Sequence, residues 1–591
     1  MTSFWRLRPH DSDKIASLGR EANVSPLIAH LLVNRGVSSA TSAKLFLGAR
    51  RDSLHDPELL PGVIEAAERI VDAIRKKRKI VVYGDYDVDG TCGTSILWTC
   101  LKLAGATDAE FYIPHRVEEG YGVNGEALRT LVADRGAQMI VTVDCGVTAV
   151  REAELARELG VEFIVTDHHM PGPEWPSADV VVHPQRPGGP PYPFPEICGA
   201  AVAFKLAWQI CKSFGDGKKA SPHLRDFLVR SFNLVALATV ADVMPLDGEN
   251  RVFVRHGLRG IVADEASVGL KALLQVSGFL GKDKLTSGNL AFGLAPRINA
   301  AGRLRRAHDA VRLLTTDDAA EAQELAKTLD DCNRERQDVE RAIVAEARRM
   351  VEDSGGLGDR GAIVVGKIGW HPGVIGIVAA RLAETYHRPA IVVALAEDGN
   401  GQGSARSVSG FDLHAAILAC SEGLTSFGGH KAAAGLKIEA SRFADFAERF
   451  DIHCREALSA EMRQKSIVVD AEVPLGSLDL ATVHAIDDLE PYGIGNPAPV
   501  LLAQRVHVVG DAKTMGATNV HLSCRFGQGD LSLRAVGWNM AHRIAELPRG
   551  AMVAVLFRPQ INEWNGHRSV QLEIKDFEAA DSGEARHARP A

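Results

Sequence analysis

The stretch Ile80-Val-Val-Tyr-Gly-Asp-Tyr-Asp-Val-Asp-Gly90 decides the fold of this chain. It begins as a buried β-strand and ends in a tight turn that carries Asp85, Asp87 and Asp89. Carboxylates this close together repel and raise each other's pKa, so a fold tolerates three of them mainly where a cation lies among them. Open parallel sheets bind ligands just beyond the carboxyl ends of their strands, and these acids follow such an end. The stretch therefore predicts a divalent-cation site at a sheet edge.

The chain around this stretch alternates between strand and helix patterns. Strands are predicted at 80–84, 139–143, 161–166 and 180–183, and helices at 63–77, 91–104 and 149–159. Such alternation is typical of a parallel sheet covered by helices, so we expect an α/β fold. Residues 199–313 then have mainly helical spacing.

Two later predicted strands also end in acids or histidines, and an apolar helical stretch carries one more acid. Because the carboxyl ends of parallel strands share one edge, these side chains are expected to converge with the first three acids. Each residue alone has an ordinary interpretation as a helix cap, a turn residue or a structural histidine, but the combination favours a metal site. The residues are Asp144, Asp167, His168, His169 and Asp242.

The ligand types indicate which metal this site would take. Carboxylates with one or two imidazoles suit Mn²⁺ or Mg²⁺ better than Zn²⁺, whose sites favour cysteine and histidine. Two such ions about 3.5–4 Å apart would clamp the attacking and leaving oxygens of a phosphoryl displacement. The pattern therefore points to phosphoester chemistry.

Length and composition set the broad class. A chain of 591 residues is too long for one core, and its 46% hydrophobic and 24% charged residues are typical of a globular protein. It has neither an apolar run of membrane-spanning length nor the apolar core of a signal peptide. Nine cysteines without a Cys-x-x-Cys pair favour reduced thiols in the cytoplasm over a disulfide framework or a zinc site. The net charge of −8 gives no global sign of nucleic-acid binding, although a local basic groove would suffice.

The pattern along the chain predicts several domains. The segment 317–351 is highly charged, has helical spacing and lacks proline and glycine, so we expect one exposed helix that joins two lobes. Beyond it, strands at 362–365 and 390–394 and glycine-rich turns at 399–403 and 428–429 indicate a second α/β unit. We expect a helical lead-in (1–60), an α/β metal-bearing domain (61–315), a connecting helix (316–355), a second α/β domain (356–460), a small β-barrel (461–578) and a disordered tail (579–591).

The barrel is predicted from short apolar segments that polar or glycine turns separate. These segments lie at 466–473, 500–509, 520–526, 531–538, 552–557 and 570–574.

Four motifs give the chain a family resemblance. They are Tyr83-Gly-Asp-Tyr-Asp-Val-Asp-Gly90, Val143-Asp-Cys-Gly146, Thr166-Asp-His-His169 and Ala238-Thr-Val-Ala-Asp-Val-Met-Pro245. They resemble the motifs of the DHH phosphoesterases, and further segments resemble the branch of that family that consists of single-strand-specific 5′→3′ exonucleases. The further segments are 112–122, 296–303, 333–337, 369–379, 403–407, 428–430 and 489–497, so the resemblance runs from about residue 50 to 575.

The resemblance implies a role for each metal ligand in a centre of two Mn²⁺ or Mg²⁺ ions. Asp87 would bind one ion and Asp89 the other, and Asp144 would bridge them. His168 and Asp242 would complete the shell of the second ion.

The resemblance also implies catalytic and substrate-binding roles. Asp85 would help to bind the first ion or orient water, and His169 would contact or polarise the scissile phosphate. Ser404 and Arg406, with Arg116, resemble the family's pocket for a 5′ phosphate, which suits arginine because its planar fork grips phosphate oxygens in pairs. Further candidates for substrate binding are Arg297, His371, His430 and, on the barrel that resembles an oligonucleotide-binding (OB) fold, Trp564.

The expected function is a metal-dependent exonuclease that acts on single-stranded DNA from the 5′ end, in DNA repair and recombination. Two alternatives stay open: a phosphodiesterase of the same superfamily acting on short RNA or cyclic dinucleotides, and a non-catalytic replication scaffold. The extra barrel argues against the first and the intact acids against the second. The family suggests a helicase and a single-strand-binding protein as partners, and we expect a monomer without membrane contact.

Overall fold

The structure is a computed structural model that describes residues 3–116, 119–120, 122–304 and 307–580. The predicted disordered tail, 579–591, lies outside the described residues from 581 onward. Ala579, its first residue, still belongs to the last strand of the barrel. No helix in the described part of the chain combines the length and apolar character needed to cross a membrane.

The N-terminal segment packs against the C-terminal barrel. It contains β1 (Phe4–Leu7), α1 (Ser12–Ala22), α2 (Pro26–Val33) and α3 (Ala40–Gly48). The predicted helical lead-in therefore begins with a strand, and this strand pairs in parallel with Ser466–Val469. The helices bury their apolar faces in the same core as the barrel strands.

A five-stranded parallel sheet forms the centre of the first α/β domain. Its strands lie in the order β3-β2-β4-β5-β6. Alternate residues of β2 enter two separate cores, because successive side chains of a strand point to opposite faces. The elements are α4 (Val63–Arg75), β2 (Ile80–Gly84), α5 (Val88–Leu103), β3 (Ala109–Tyr112), α6 (Gly125–Ala133), β4 (Met139–Val143), α7 (Val150–Glu158), β5 (Glu162–Thr166) and β6 (Val180–Val182).

Helix α5 approaches the sheet closely where β2 ends. A Cβ on Gly90 would lie 2.5 Å from the carbonyl oxygen of Asp85, and one on Gly93 would lie 2.6 Å from Val143 Cγ1. Glycine at these positions lets the start of the helix lie directly against the strand ends. The helix begins at Val88 rather than at the predicted Thr91 because the Asp87 side chain caps it.

Helices complete the first domain and connect it to the second. They are α8 (Gly199–Ser213), α9 (Pro222–Ala241), α10 (Gly248–Val262), α11 (Val268–Val276), α12 (Ser287–Asn289), a π-helix (Leu290–Leu294), α13 (Ala295–Leu304), α14 (His308–Thr315) and α15 (Ala319–Asp353).

The long helix α15 confirms one prediction and corrects another. It is a single element of 35 residues, as the helical spacing predicts, but it is not an exposed linker. Its inner face includes Leu329, Arg336 and Ala347, which are buried against neighbouring helices. The high charge content of the segment predicts exposure, but several of these charges are paired within the fold, as in the ion pair of Arg336 with Glu340.

The second α/β domain has a mixed sheet in the order β10-β11-β9-β8-β7, in which the β7–β8 pair is parallel. The predicted turn at 399–403 is wrong, because most of it belongs to β9, and Gly428 and Gly429 likewise lie in β10. A Cβ on Gly403 would lie 2.5 Å from Leu436 Cδ1, so the glycine here serves packing. The elements are β7 (Ile363–Ile368), α16 (Ile375–Tyr386), β8 (Ala390–Leu395), β9 (Asn400–Arg406), α17 (Leu413–Ala419), β10 (Leu424–Gly429), β11 (Ala433–Glu439) and α18 (Phe443–Ala457).

The C-terminal barrel is a seven-stranded sheet in the order β13-β14-β18-β19-β17-β16-β15. An additional pairing of β14 with β16 closes it, which confirms the predicted barrel. The predicted strand 466–473 divides into two short strands. The elements are β12 (Ser466–Val469), β13 (Ala471–Glu472), α19 (Leu480–Asp487), β14 (Leu501–Val508), β15 (Lys513–Met515), β16 (His521–Gln528), β17 (Leu531–Gly537), β18 (Met552–Trp564) and β19 (His567–Ala579).

Short 3₁₀-helices lie in the connections between these elements. They are Arg51–Ser53, Pro57–Leu59, Ala440–Arg442, Leu475–Ser477 and Ala541–Glu546.

Candidate metal centre and phosphate pocket

The ends of β2, β4 and β5 bring the predicted metal ligands together. Gly84 of β2 lies opposite Val143 of β4, so the residues that follow them, Asp85 and Asp144, emerge side by side at the sheet edge. The possible ligand atoms form three groups, and within each group all atoms lie within 4.8 Å of one another. They are Asp85 with Asp87 and Asp144, Asp89 with His168 and Asp242, and Asp144 with His168 and His169.

His168 and Asp144 connect the groups. The His168 Nε2 lies 3.1 Å from Asp144 Oδ1 and 3.6 Å from a carboxylate oxygen of both Asp89 and Asp242. Asp242 reaches the cluster from the C-terminal end of α9, across from the strand ends. The arrangement therefore has two sides, Asp85 with Asp87 and Asp89 with Asp242, and Asp144 and His168 lie between them.

Backbone amides fix the orientation of two acids. The Asp87 Oδ1 accepts hydrogen bonds from the backbone N–H groups of Asp89 and Gly90, at 2.8 and 3.1 Å. Both Asp89 oxygens accept from the first turn of α8, from Gly199 N–H at 2.6 Å and Ala200 N–H at 2.8 Å. A helix N-terminus stabilises negative charge, so α8 holds Asp89 in place.

Asp144 has a strained backbone at the centre of the cluster. Its φ of 64° lies in the left-handed region, which aspartate tolerates better than most residues. A Cβ on Gly199 would lie 2.5 Å from Asp144 Oδ1, so only glycine leaves room for this carboxylate. The chain thus places Asp144 by a strained turn on one side and a helix start on the other.

The electrostatics of the cluster disfavour ionised acids without a counter-charge. Burial, followed by the charge of Asp87, raises the pKa of Asp85 to about 8. Burial and the charge of Asp89 raise the pKa of Asp242 to about 8 as well. The pKa values of Asp87 and Asp144 are also raised, first by burial and then by neighbouring carboxylates. A bound cation would reverse this effect because it favours the charged form.

The residues fit a Mn²⁺ or Mg²⁺ centre. Asp85 Oδ1, Asp144 Oδ1 and His168 Nε2 are buried and have no hydrogen-bond partner among the described residues. A buried polar atom without a partner is costly, and three of them at one place suit a site that binds a cation. Carboxylate oxygens with imidazole nitrogen are the donors that Mn²⁺ and Mg²⁺ accept.

His169 differs from the other ligands because it pairs with Asp167. The His169 Nδ1 lies 2.8 Å from Asp167 Oδ1. Burial opposes both charges, but the hydrogen bond and the mutual attraction outweigh it, so the pKa of His169 rises to about 9 and that of Asp167 falls to about 2. The sequence places Asp167 at a strand end but does not reveal this role. Asp167 orients His169 and also accepts from the Val147 backbone N–H at 2.9 Å.

A second polar cluster lies at the start of α16. Arg406 Nη1 donates to Ser404 Oγ at 3.1 Å, and a Cβ on Gly376 would lie 3.2 Å from Arg406 Nη2. Burial and then the nearby charge of Arg116 lower the pKa of Arg406. Arg116 itself lies over the ring of Tyr86, 4.9 Å from its centroid. The structure therefore brings together the three predicted pocket residues from two domains.

Arg303 joins this cluster and was missed by the sequence analysis. Burial, followed by the charges of Arg116, Arg336 and Arg406, lowers its pKa to about 10. Converging guanidinium groups repel one another, and an anion bound among them would relieve that repulsion. The signal available in the sequence was the position of Arg303 at the end of the segment 296–303.

Comparisons with known proteins assign the family. Models of the DHH family N-terminal domain, the DHHA1 domain and the RecJ OB domain match residues 79–231, 359–456 and 469–576. The single-stranded-DNA-specific exonuclease RecJ of Escherichia coli is 33% identical over 590 residues, which cover 97% of this chain and 99% of that protein. The chain belongs to the RecJ family. The RecJ of Bacillus subtilis is 39% identical over 575 residues, covering 97% of this chain and 70% of that protein.

A solved RecJ structure shows the same architecture. The crystal structure of RecJ from Thermus thermophilus in complex with Mn²⁺ matches with a TM-score of 0.79 and 31% identity. The match covers 97% of this chain and 79% of that one. The expected multidomain α/β fold, with a parallel catalytic sheet, a second α/β domain and an OB barrel, is thereby confirmed.

Four further residues of this RecJ-family chain are predicted substrate contacts. The Arg297 Nε donates to Asp330 at 2.8 Å, and the His371 Nδ1 accepts from the Gly373 N–H at 3.1 Å, so both side chains have partners within the fold. His430 is exposed in the turn between β10 and β11. Trp564 is 73% exposed at the end of β18.

Proposed function

We propose that this chain is a metal-dependent exonuclease that degrades single-stranded DNA from its 5′ end and releases 5′ mononucleotides. The observation that carries the proposal is the position of Asp144, which joins ligand groups on both sides of one acid cluster. The RecJ proteins of Bacillus subtilis and Escherichia coli, which this chain matches over nearly its whole length, are named as single-stranded-DNA-specific exonucleases. Such an activity belongs in DNA repair and recombination.

The metal centre would hold two ions of Mn²⁺ or Mg²⁺. Asp85 and Asp87 would hold one ion with Asp144, and the other would lie among Asp89, His168, Asp242 and the shared Asp144. RecJ of Thermus thermophilus has been solved with each of these metals. When bound, the ions would neutralise the acids, polarise the phosphate and lower the pKa of a water nucleophile.

The chain's own groups would orient the reaction. His169, held by Asp167, points a cationic ring at the cluster and would contact the scissile phosphate or stabilise charge on it. Asp144 and His168 would keep the two sides of the centre in register. Asp85 would position the water or assist the first ion.

The arginine cluster would determine the polarity. Arg116, Ser404, Arg406 and Arg303 offer paired donors near the N-terminus of a 12-residue helix, which suits a terminal phosphate. A strand whose 5′ phosphate is held there would place its first phosphodiester bond at the acids. His430, His371 and Arg297 are further candidates for substrate contacts.

The barrel would bind the rest of the strand. An OB fold grips single strands with basic grooves and stacking aromatic rings. Trp564, exposed at the end of the long β18, is the candidate for stacking. The presence of this barrel and the intact acid cluster disfavour the two alternatives, a small-substrate phosphodiesterase and a non-catalytic scaffold.

The proposal extends to location, assembly state, partners and domain limits. We place the protein in the cytoplasm as a monomer, where all nine buried cysteines would stay reduced. A helicase and a single-strand-binding protein would supply and present the DNA. The domain limits proposed are 61–315, 316–355, 356–460 and 461–578, and the structure attaches most of residues 1–60 to the barrel through a shared core.

The test of this function is a degradation assay with Mn²⁺ on single-stranded and duplex DNA labelled at the 3′ end. We expect mononucleotides to be released from the 5′ end of the single strand while the labelled strand shortens progressively, and no attack on blunt duplex. A label released first from the 3′ end would reject the polarity. Equal degradation of both substrates would reject the single-strand specificity.

The phosphate pocket has its own test. Arg406→Ala should reduce the preference for a 5′-phosphorylated strand over a 5′-hydroxyl strand, because it removes a charge-assisted phosphate contact. The 5′-hydroxyl substrate is the internal control. An unchanged ratio between the two substrates would reject the pocket.

A further inference from the structure

A groove opens beside the metal centre. It has a volume of about 450 Å³ and lies among the end of α9, the π-helix, α13 and the turn 492–494 that precedes the barrel. Its lining includes Val243, Phe292, Ile494, Arg303 and Arg336. It is a cleft between the first and second α/β domains and the turn 492–494.

The groove presents large apolar side chains to solvent. Phe292 is 86% exposed, Val243 is 62% exposed and Ile494 is 55% exposed. Single exposed apolar residues are ordinary, but three that line one cleft indicate a binding surface.

Each of these side chains is held on a fixed backbone. Phe292 lies in a π-helix, an element found frequently at functional sites, and this helix is anchored by fully buried Leu290 and Leu294. Val243 has a φ of 60°, which is an outlier for a β-branched residue. The backbone carbonyl of Ile494 accepts from the Leu246 N–H at 2.7 Å. The fold therefore maintains the exposure of these groups instead of relieving it.

The position of the groove indicates its occupant. Val243 directly follows Asp242 of the metal centre, whereas Arg303 and Ile377, on another part of the lining, adjoin the arginine cluster. The groove thus runs between the two places where the proposed function puts phosphates. A single DNA strand has the two features that this groove would bind, which are apolar base faces and anionic phosphates.

We propose that this groove binds the bases of the nucleotides next to the scissile bond, and that Phe292 stacks on one of them. This proposal rests on the proposed function, because it takes single-stranded DNA as the substrate. Val243 and Ile494 would flank the base, and Arg303 would neutralise the adjoining backbone. Stacking tolerates every base because each has a π-face, so this contact would accept any sequence.

The test uses the full chain and binding without hydrolysis. Single strands with 2-aminopurine at the first, second or third nucleotide from a 5′ phosphate are titrated with protein in EDTA. Stacking on an aromatic ring quenches this base, so we expect quenching at one or more positions with the natural protein. Phe292→Ala should abolish that quenching and weaken binding about fivefold or more, which is the size expected for loss of one base–aromatic contact. Phe292→Tyr should retain both effects.

Two variants separate stacking from general apolar contact and from the loss of an exposed apolar side chain elsewhere. Phe292→Leu keeps an apolar group without a ring, so it should lose the quenching. Leu418→Ala removes a side chain that is 56% exposed on the second α/β domain, and it should change neither binding nor fluorescence. The proposal would be overturned if the Phe292→Ala protein quenched 2-aminopurine as strongly as the natural protein does at all three positions.

The same titration separates the two proposals. If the natural protein binds and quenches the strand but fails to degrade it with Mn²⁺, the exonuclease function falls while the groove stands. If it degrades DNA but Phe292→Ala degrades with an unchanged KM, the groove proposal falls alone.

Discussion

At the scale of single residues, the site depends on close approaches that sequence patterns do not reveal. A Cβ on Gly199 would lie 2.5 Å from Asp144 Oδ1, so any side chain there would collide with this carboxylate. The Gly199 N–H also binds Asp89. One glycine therefore positions two acids of the proposed centre, Asp89 and the shared Asp144.

Gly199→Ala should lower Mn²⁺-dependent degradation strongly, because the added methyl group displaces Asp144. Overpacking of this kind costs about 1–3 kcal/mol, so the variant should fold with a modestly lower Tm. The measurement is kcat beside a thermal unfolding curve. Gly48→Ala, where the Cβ would meet its nearest atom at 3.8 Å, is the matched control. Full activity of Gly199→Ala would show that Asp144 is not constrained in this way.

At the scale of elements, the convergence of the acids could be predicted from the sequence, whereas several local structures could not. Parallel strand ends share an edge, so acids after β2, β4 and β5 had to meet. Strand β1 was missed because its partner is distant in the chain, at Ser466–Val469. Glycines at 399–403 predict a turn because glycine usually marks one, whereas Gly403 lies in β9 and makes room for Leu436. The arginine cluster draws on two domains, so the position of Arg303 at the end of the segment 296–303 does not by itself reveal its partners.

Helix α15 offers a test of its corrected role. Leu329 is fully buried, so Leu329→Ala should destabilise the protein by about 2–5 kcal/mol. Lys327→Ala removes one partner of an exposed ion pair with Asp331 on the same helix, which is worth about 0.5 kcal/mol or less. Denaturant unfolding of both variants measures the difference. Equal stability of the two variants would indicate that α15 is a solvated linker.

At the scale of the whole molecule, Arg251 joins parts that are distant in sequence. It lies on α10, is 1% exposed and donates to the backbone carbonyl oxygens of Phe46, Asp488, Leu489 and Glu490. It thus connects the catalytic domain, the N-terminal segment and the approach to the barrel. The groove beside Phe292 is bounded by the same approach, at 492–494.

Arg251→Ala should loosen the attachment of the barrel, because it leaves several buried carbonyl groups without donors. We expect a lower Tm and faster proteolysis between the catalytic domain and the barrel. Arg251→Lys should restore little, since one ammonium group cannot replace the guanidinium fork. Arg259→Ala, on the exposed side of the same helix, is the control. Unchanged proteolysis of Arg251→Ala would show that other contacts hold the barrel.

The central claim, that the acids after three strand ends form one catalytic metal centre shared through Asp144, has a direct test in Asp144→Ala. Its degradation of 5′-phosphorylated single-stranded DNA with Mn²⁺ is measured together with calorimetric Mn²⁺ binding and circular dichroism. We predict a folded protein that has lost about a thousandfold or more in kcat and binds Mn²⁺ more weakly. Near-normal degradation by a folded Asp144→Ala protein would contradict the claim.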